Sequence, residues 1–129
     1  MAVILVVDDD REFSDVLVRM LRSLGHEALI AHDGSSAVQR YGSTRPDLVL
    51  MDVVMPETDG LGATKALRQR WPDARIIGMT GGGAFDVDLL LSVMGWLGAQ
   101  RTLQKPFTVD ELKEAIAAVL PGGEKPSAD

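Results

Sequence analysis

The chain has 129 residues, 46% hydrophobic and 25% charged, with no cysteine and a formal net charge of −6. This composition fits one globular domain with a single core. It excludes disulfides, thiolate catalysis and cysteine-based zinc sites, and the acidic balance argues against direct contact with nucleic acid or an anionic membrane. No run reaches the roughly 20 apolar residues that cross a bilayer, and no basic segment with a cleavage site opens the chain. A cytoplasmic protein is expected.

Ala2 to Val7 is a continuous apolar run, suited to a strand buried on both faces. Phe13, Val16, Leu17, Met20, Leu21 and Leu24 follow at helical spacing, and Gly25 stops that helix. Glu27 to Ala31 reads as a second strand. Asp33 and Gly34 make a turn, with a second helix over Ser35 to Tyr41. Leu48 to Met51 is a third strand. Gly60 to Trp71 is a third helix with Leu61, Thr64 and Leu67 on one face, ended by Pro72. Ala74 to Met79 is a fourth strand, Val87 to Leu97 a fourth helix and Ala99 to Leu103 a weaker fifth strand. A fifth helix covers Thr108 to Leu120, with Thr108 and Glu111 in capping-box positions and Val109, Leu112, Ile116, Val119 and Leu120 apolar. Residues 1–120 thus form one domain, and PGGEKPSAD, 121–129, is a linker-like tail expected to be disordered. His26 and His32 are isolated, expected at the surface or a strand edge rather than as ligands.

Five βα units with short connections predict an α/β fold, a five-stranded parallel sheet covered on both faces. Ligands of such sheets bind at the carboxyl ends of the strands. The first strand ends in Asp8-Asp9-Asp10, the third in Asp52 and the fourth in Thr80, and the fifth is followed by Lys105-Pro106. Clustered carboxylates repel unless a cation joins them, and hard oxygen ligands suit Mg²⁺, with Mn²⁺ as a substitute. A lysine and a threonine hydroxyl nearby suit a phosphoryl group, and aspartate can accept one as a nucleophile. The residues by themselves read as a magnesium-assisted phosphoryl-transfer site with an aspartate acceptor. Asp10 is expected to cap the first helix, with Asp8 and Asp9 facing the metal.

VVDD at 6–9, LMDVVMPETDG at 50–60, MT at 79–80 and KPF at 105–107 resemble the receiver domain of two-component response regulators. The resemblance spans residues 3–120. It implies a flavodoxin-like (βα)5 domain with strand order 2-1-3-4-5. Asp52 would be the phosphoacceptor. Asp8, Asp9, Asp52 and the backbone carbonyl of Val54 would be metal ligands. Thr80 and Lys105 would face the phosphoryl group, and a cis bond would precede Pro106. The donor would be a histidine kinase or a histidine phosphotransfer protein. The domain would be a self-phosphorylating and self-dephosphorylating switch rather than a turnover enzyme.

Three departures from that pattern concern the switch. Gly81-Gly82-Gly83 follow Thr80 and lengthen the stretch to Lys105, which predicts a flexible loop. Thr102 stands where the family often has an aromatic switch residue. The predicted fourth helix is apolar on nearly every side, leaving Leu91 and Trp96 as candidates for a homodimer or effector surface with the fifth strand and fifth helix. Val54 and Gly82 offer no side-chain donor to an attacking water, which predicts slow hydrolysis of the acyl phosphate.

Two other functions compete. LVVDDDR also begins like a haloacid-dehalogenase phosphatase, with Asp8 as nucleophile and Asp10 as acid, but Glu12 departs from that signature and Asp52 is left unexplained. A receiver-like binding module controlled by protein contact alone would leave the acidic cluster without a purpose.

Overall fold

The computed structural model describes residues 1–53, 60–81, 92, 95–96 and 98–120. Within them lie β1 (Val3–Val7), α1 (Arg11–Ser23), β2 (Glu27–Ala31), α2 (Gly34–Thr44), β3 (Leu48–Asp52), α3 (Gly60–Arg70), β4 (Ile76–Thr80), β5 (Arg101–Gln104) and α4 (Val109–Val119). The helix predicted over 87–97 falls outside the described residues except for Ser92, Gly95 and Trp96, as does the tail 121–129. The label α4 therefore belongs to the predicted fifth helix.

All strands are parallel in one five-stranded sheet of order β2-β1-β3-β4-β5. Reversal of strand order on either side of β1 sends helices to both faces. Strand side chains alternate between the faces, so neighbouring residues feed two separate cores. Leu5, Val7, Val49, Met51 and Ile76 pack with Ala37 and Tyr41 of α2 and Ala63 and Leu67 of α3. Ile4, Val6, Leu48, Leu50, Ile77 and Met79 pack with Leu17 and Leu21 of α1 and Leu112, Ala115 and Ile116 of α4. Every residue of β3 and β4 is buried, as expected of central strands with both faces covered.

Several boundaries differ from the sequence reading, each for a local reason. Asp33 caps α2 by accepting the Ser36 N–H at 2.7 Å, so the helix begins at Gly34. It continues to Thr44, past Tyr41, and Arg45 then takes a left-handed conformation with φ 47°. β3 and β4 extend through Asp52 and Thr80, because pairing of Asp52 with Met79 and of Thr80 with Gln104 carries the ladder that far. β5 starts at Arg101; ahead of it, the Gln100 side chain accepts the Ile76 N–H at 2.8 Å, in the manner of a strand neighbour. The buried stripe of α1 is Ser14, Leu17, Val18 and Leu21, whereas Val16 is half exposed. Helical spacing admits either neighbour of Leu17 to the stripe, and the packed helix buries Val18. Val109 likewise turns outward, and Ala115 takes the inner position on α4. Gly25 does stop α1, at φ 90°.

The seam between α2 and α3 is aromatic. Tyr41 and Trp71 lie with ring centroids 4.7 Å apart, and the Arg45 and Arg70 guanidinia sit over the Trp71 ring at 5.6 and 4.7 Å. Burial raises the Tyr41 phenol above its ordinary pKa.

Candidate phosphoryl-acceptor site

The carboxyl ends of β1, β3 and β4 meet at one rim. Asp8 follows β1, Asp52 ends β3 and Thr80 ends β4. One oxygen from each of Asp8, Asp9 and Asp52 lies within 4.8 Å of the others, close enough for a shared divalent cation. Asp8 and Asp52 are buried, whereas Asp9 is exposed. Two buried carboxylates so near each other are costly without a positive partner. The donor set is all oxygen and hard, which fits Mg²⁺ rather than a softer metal. Val54, whose carbonyl the sequence reading adds to this set, lies outside the described residues.

Asp8 is held by four close hydrogen bonds and a longer one from the Ser14 hydroxyl to its carbonyl at 3.5 Å. Its N–H donates to the Ala31 carbonyl at 3.1 Å, and its Oδ1 accepts the Asp10 N–H at 2.9 Å. Its carbonyl accepts His32 Nδ1–H at 2.9 Å, and its Oδ2 accepts Lys105 Nζ at 2.7 Å. The role of His32 was not legible in the sequence: an isolated histidine at the end of an edge strand gives no signal until the pairing of Val7 with Ala31 brings it beside Asp8. His26, expected at the surface or an edge, is buried where the chain enters β2, and its Nδ1 accepts the Ala2 N–H at 3.1 Å. Asp10 caps α1, accepting the Phe13 N–H at 3.1 Å.

Lys105 arrives from the opposite side. Its N–H donates to the Thr80 carbonyl at 2.6 Å, which continues the β4–β5 ladder past its last pair and sets Lys105 beside Thr80. The bond to Pro106 is cis. The ammonium lies 2.7 Å from Asp8 Oδ2 and 3.8 Å from Asp52 Oδ2. It also rests over the Phe13 ring at 4.2 Å, and Phe13 meets Phe107 edge-on at 5.8 Å. The aromatic pair therefore covers the outer side of the lysine and holds it toward the carboxylates. Phe13 reads in the sequence as a core residue of α1, and only the packing of Phe107 against it reveals this second contact.

Thr80 is wholly buried, and its Oγ1 is the one buried side-chain polar atom among the described residues with no hydrogen-bond partner. Such orphans are rare because a lost hydrogen bond costs roughly 1–3 kcal/mol. An oxygen-rich group bound at the rim would satisfy it.

Gly60 opens α3 directly against the acidic strand. A Cβ there would fall 1.9 Å from the Asp52 carbonyl oxygen, so the helix can approach β3 only because residue 60 has no side chain. Asp59 and Pro56 lie outside the described residues. So do Gly82, Gly83 and Leu91, while Gly81 is half-buried at the end of β4, Thr102 is half-buried on β5 and Trp96 is exposed.

A doubly wound sheet that brings three carboxylates, an unsatisfied hydroxyl and a lysine to one rim defines the phospho-accepting class of α/β signalling domains. The chain belongs to the response regulator receiver domain family, whose model matches residues 4–117. It is 39% identical over 117 residues to the transcriptional regulatory protein CpxR of Escherichia coli, and 38% identical over 118 residues to the response regulator MprA of Mycobacterium ulcerans. Each alignment covers 91% of this chain, but 48% and 49% of the relative, so the chain spans about half the length of these proteins. Among solved structures, the response regulator TrrA of Thermotoga maritima, in complex with Mg²⁺ and BeF, is 34% identical with a TM-score of 0.81. That match covers 93% of this chain and 100% of TrrA. A LuxR-family response regulator of an Aurantimonas species matches at 30% identity and a TM-score of 0.82, over 92% of this chain and 84% of its own.

Membership of this family leaves the phosphatase reading unfavoured, and the geometry agrees: Asp10, its required acid, is engaged as a helix cap. Among the described residues no helix is long and apolar enough to cross a membrane.

Proposed function

We propose that this domain, residues 1–120, accepts a phosphoryl group on Asp52 from a histidine kinase or a histidine phosphotransfer protein. The observation that supports this best is the combination at one rim: three carboxylates within 4.8 Å, Lys105 reaching two of them, and a buried Thr80 hydroxyl with no partner. Asp8, Asp9 and Asp52 would hold Mg²⁺, or Mn²⁺ in its place, with the Val54 carbonyl completing the set. The ion would neutralise charge on the phosphoryl oxygens. An Asp52 oxygen attacks phosphorus as the phosphorus–nitrogen bond of the donor phosphohistidine breaks, and the departing imidazole takes up a proton. Lys105 pairs with one phosphoryl oxygen and Thr80 donates its hydroxyl to another, so the product satisfies both groups. The domain acts as a switch rather than a turnover enzyme, in the cytoplasm.

The test is labelling with acetyl phosphate and Mg²⁺, followed by intact mass and peptide mapping. A gain of one phosphoryl group mapped to Asp52 and lost in Asp52→Asn supports the reading. Label on Asp8 would transfer it to the phosphatase mechanism. No label, with no Mg²⁺ bound by calorimetry, would leave only a binding module.

The output surface we propose comprises Thr102 on β5, α4 and the exposed Trp96, with Leu91 five residues ahead of it in the sequence; Gly81, Gly82 and Gly83 would carry the change from Thr80. It would join a second copy of the chain or an effector. Sedimentation with and without beryllofluoride and Mg²⁺ checks the dimer: a monomer in both states, unchanged by Trp96→Glu, removes it.

A further inference from the structure

A second polar feature lies beside the acidic rim, and phosphoryl transfer does not use it. β2 is an edge strand, and near its carboxyl end the helices from opposite faces of the sheet leave a cleft of about 640 Å³. Arg11, the first residue of α1, lines one side. On the other side is a stripe of α2: Ser36, Gln39, Arg40 and Ser43, three or four residues apart and hence on one helix face. His32, bonded to the Asp8 carbonyl, lines the end nearest the rim.

The sign of this cleft is opposite to that of the chain. Neither guanidinium makes an ion pair among the described residues. Asp33 is the only carboxylate in the lining, and it accepts the Ser36 N–H at 2.7 Å; that bond holds its pKa below the ordinary aspartate value. Two unpaired arginines against one engaged carboxylate leave a local positive field in a protein of net charge −6. A guanidinium fork matches phosphate oxygens better than a point charge does. The rest of the lining is Ile30 and Ala31 at the end of β2, the His32 ring, and the hydroxyl and amide groups of Ser36, Gln39 and Ser43, so it suits a ligand that carries hydroxyls beside its phosphate. Its volume is that of a small-molecule site.

We propose that this cleft binds a small phosphate ester of about mononucleotide size, with Arg11 and Arg40 gripping the phosphate from the two faces of the sheet. Ser36, Gln39 and Ser43 would meet the sugar hydroxyls. The proposal goes beyond the acceptor chemistry at Asp52 and does not require it.

Heteronuclear NMR of the full chain without Mg²⁺ provides the test, with adenosine monophosphate, inorganic phosphate and adenosine as probes. Adenosine monophosphate should shift the amides of Arg11, His32, Gln39 and Arg40 saturably, with a Kd of about 1 mM or lower. Inorganic phosphate should bind about tenfold more weakly, and adenosine should not move these amides. Arg40→Glu and Arg11→Gln should each weaken binding by about tenfold or more, whereas Asp52→Asn should bind as the parent does. The proposal fails if the nucleotide leaves these amides unmoved at about 10 mM, or if Arg40→Glu binds within about twofold of the parent. Equal shifts with adenosine, or shifts centred on Thr80 and Lys105 and lost in Asp52→Asn, would also overturn it.

Discussion

The centre and the edges of this sheet are built differently. β3 and β4 are buried at every position, whereas β2 and β5 are mostly half-exposed. Asp52 and Thr80 end the buried strands, and Asp8 follows β1, which lies between two hydrogen-bonded neighbours. Lys105 follows the half-exposed β5 and reaches inward over Phe13. A switch needs both properties: an acceptor whose backbone is fixed, and a counter-charge on an element with less buried contact to lose when it shifts. The difference teaches that rigidity and responsiveness are divided between strands of one sheet, not between domains.

The most damaging way to break the centre is at Gly60. In Gly60→Ala the new methyl would meet the Asp52 carbonyl oxygen, so α3 must withdraw from β3. A loss of about 3 kcal/mol or more is expected, up to failure to fold, measured by urea unfolding. A stability within about 0.5 kcal/mol of the parent would show that the helix start can shift freely.

Truncation within one core cluster makes the contrast quantitative. Leu50 on β3 and Leu103 on β5 both pack into the core beneath α1 and α4, but only Leu50 is fully buried. Leu50→Ala should cost about 3 kcal/mol and Leu103→Ala about 1 kcal/mol, because the edge position loses less buried surface and can relax toward solvent. Equal costs would mean that β5 is as fixed as the centre.

These contrasts also explain what the sequence could and could not disclose. The fold was legible because βα alternation, apolar strand runs and turn residues agree at every step. Asp8, Asp9, Asp52, Thr80 and Lys105 were legible because strand ends in such a fold share a rim. Contacts that depend on three-dimensional packing were not. Nothing in REF marks Phe13 as the platform under Lys105, since its spacing is also that of a core residue. Nothing in AHD marks His32 as an anchor for Asp8, and no local signal says that Gly60 touches Asp52. The outward turn of Val16 was misread because helical period alone cannot separate it from Val18.

A smaller effect separates the rim from the body of the sheet. Mg²⁺ that binds the folded chain alone should stabilise it by about 1.4 kcal/mol at tenfold excess over its Kd, seen as a rise in Tm. Asp8→Asn and Asp52→Asn should abolish that rise, while Leu103→Ala, destabilised but with every carboxylate retained, should keep it. A Tm increase that survives both asparagine variants would place the metal elsewhere.

The smallest expected effect lies at the other edge, where Asp33 joins β2 to α2. Its carboxylate accepts the Ser36 N–H, and this bond lowers its pKa in the folded chain. A lowered folded pKa means that the unfolded chain binds the proton more readily. The contribution is therefore fully present above the ordinary aspartate pKa and disappears as pH falls through the lower folded value. Asp33→Asn keeps the capping geometry and removes the charge, so its stability relative to the parent should improve as pH falls through that window and stay level at neutral pH. Asp33 is a partly exposed cap, so the change should be a small Tm difference between neutral and acid buffers. A parent and a variant with parallel profiles down to acid pH would mean that the cap is made equally in both charge states.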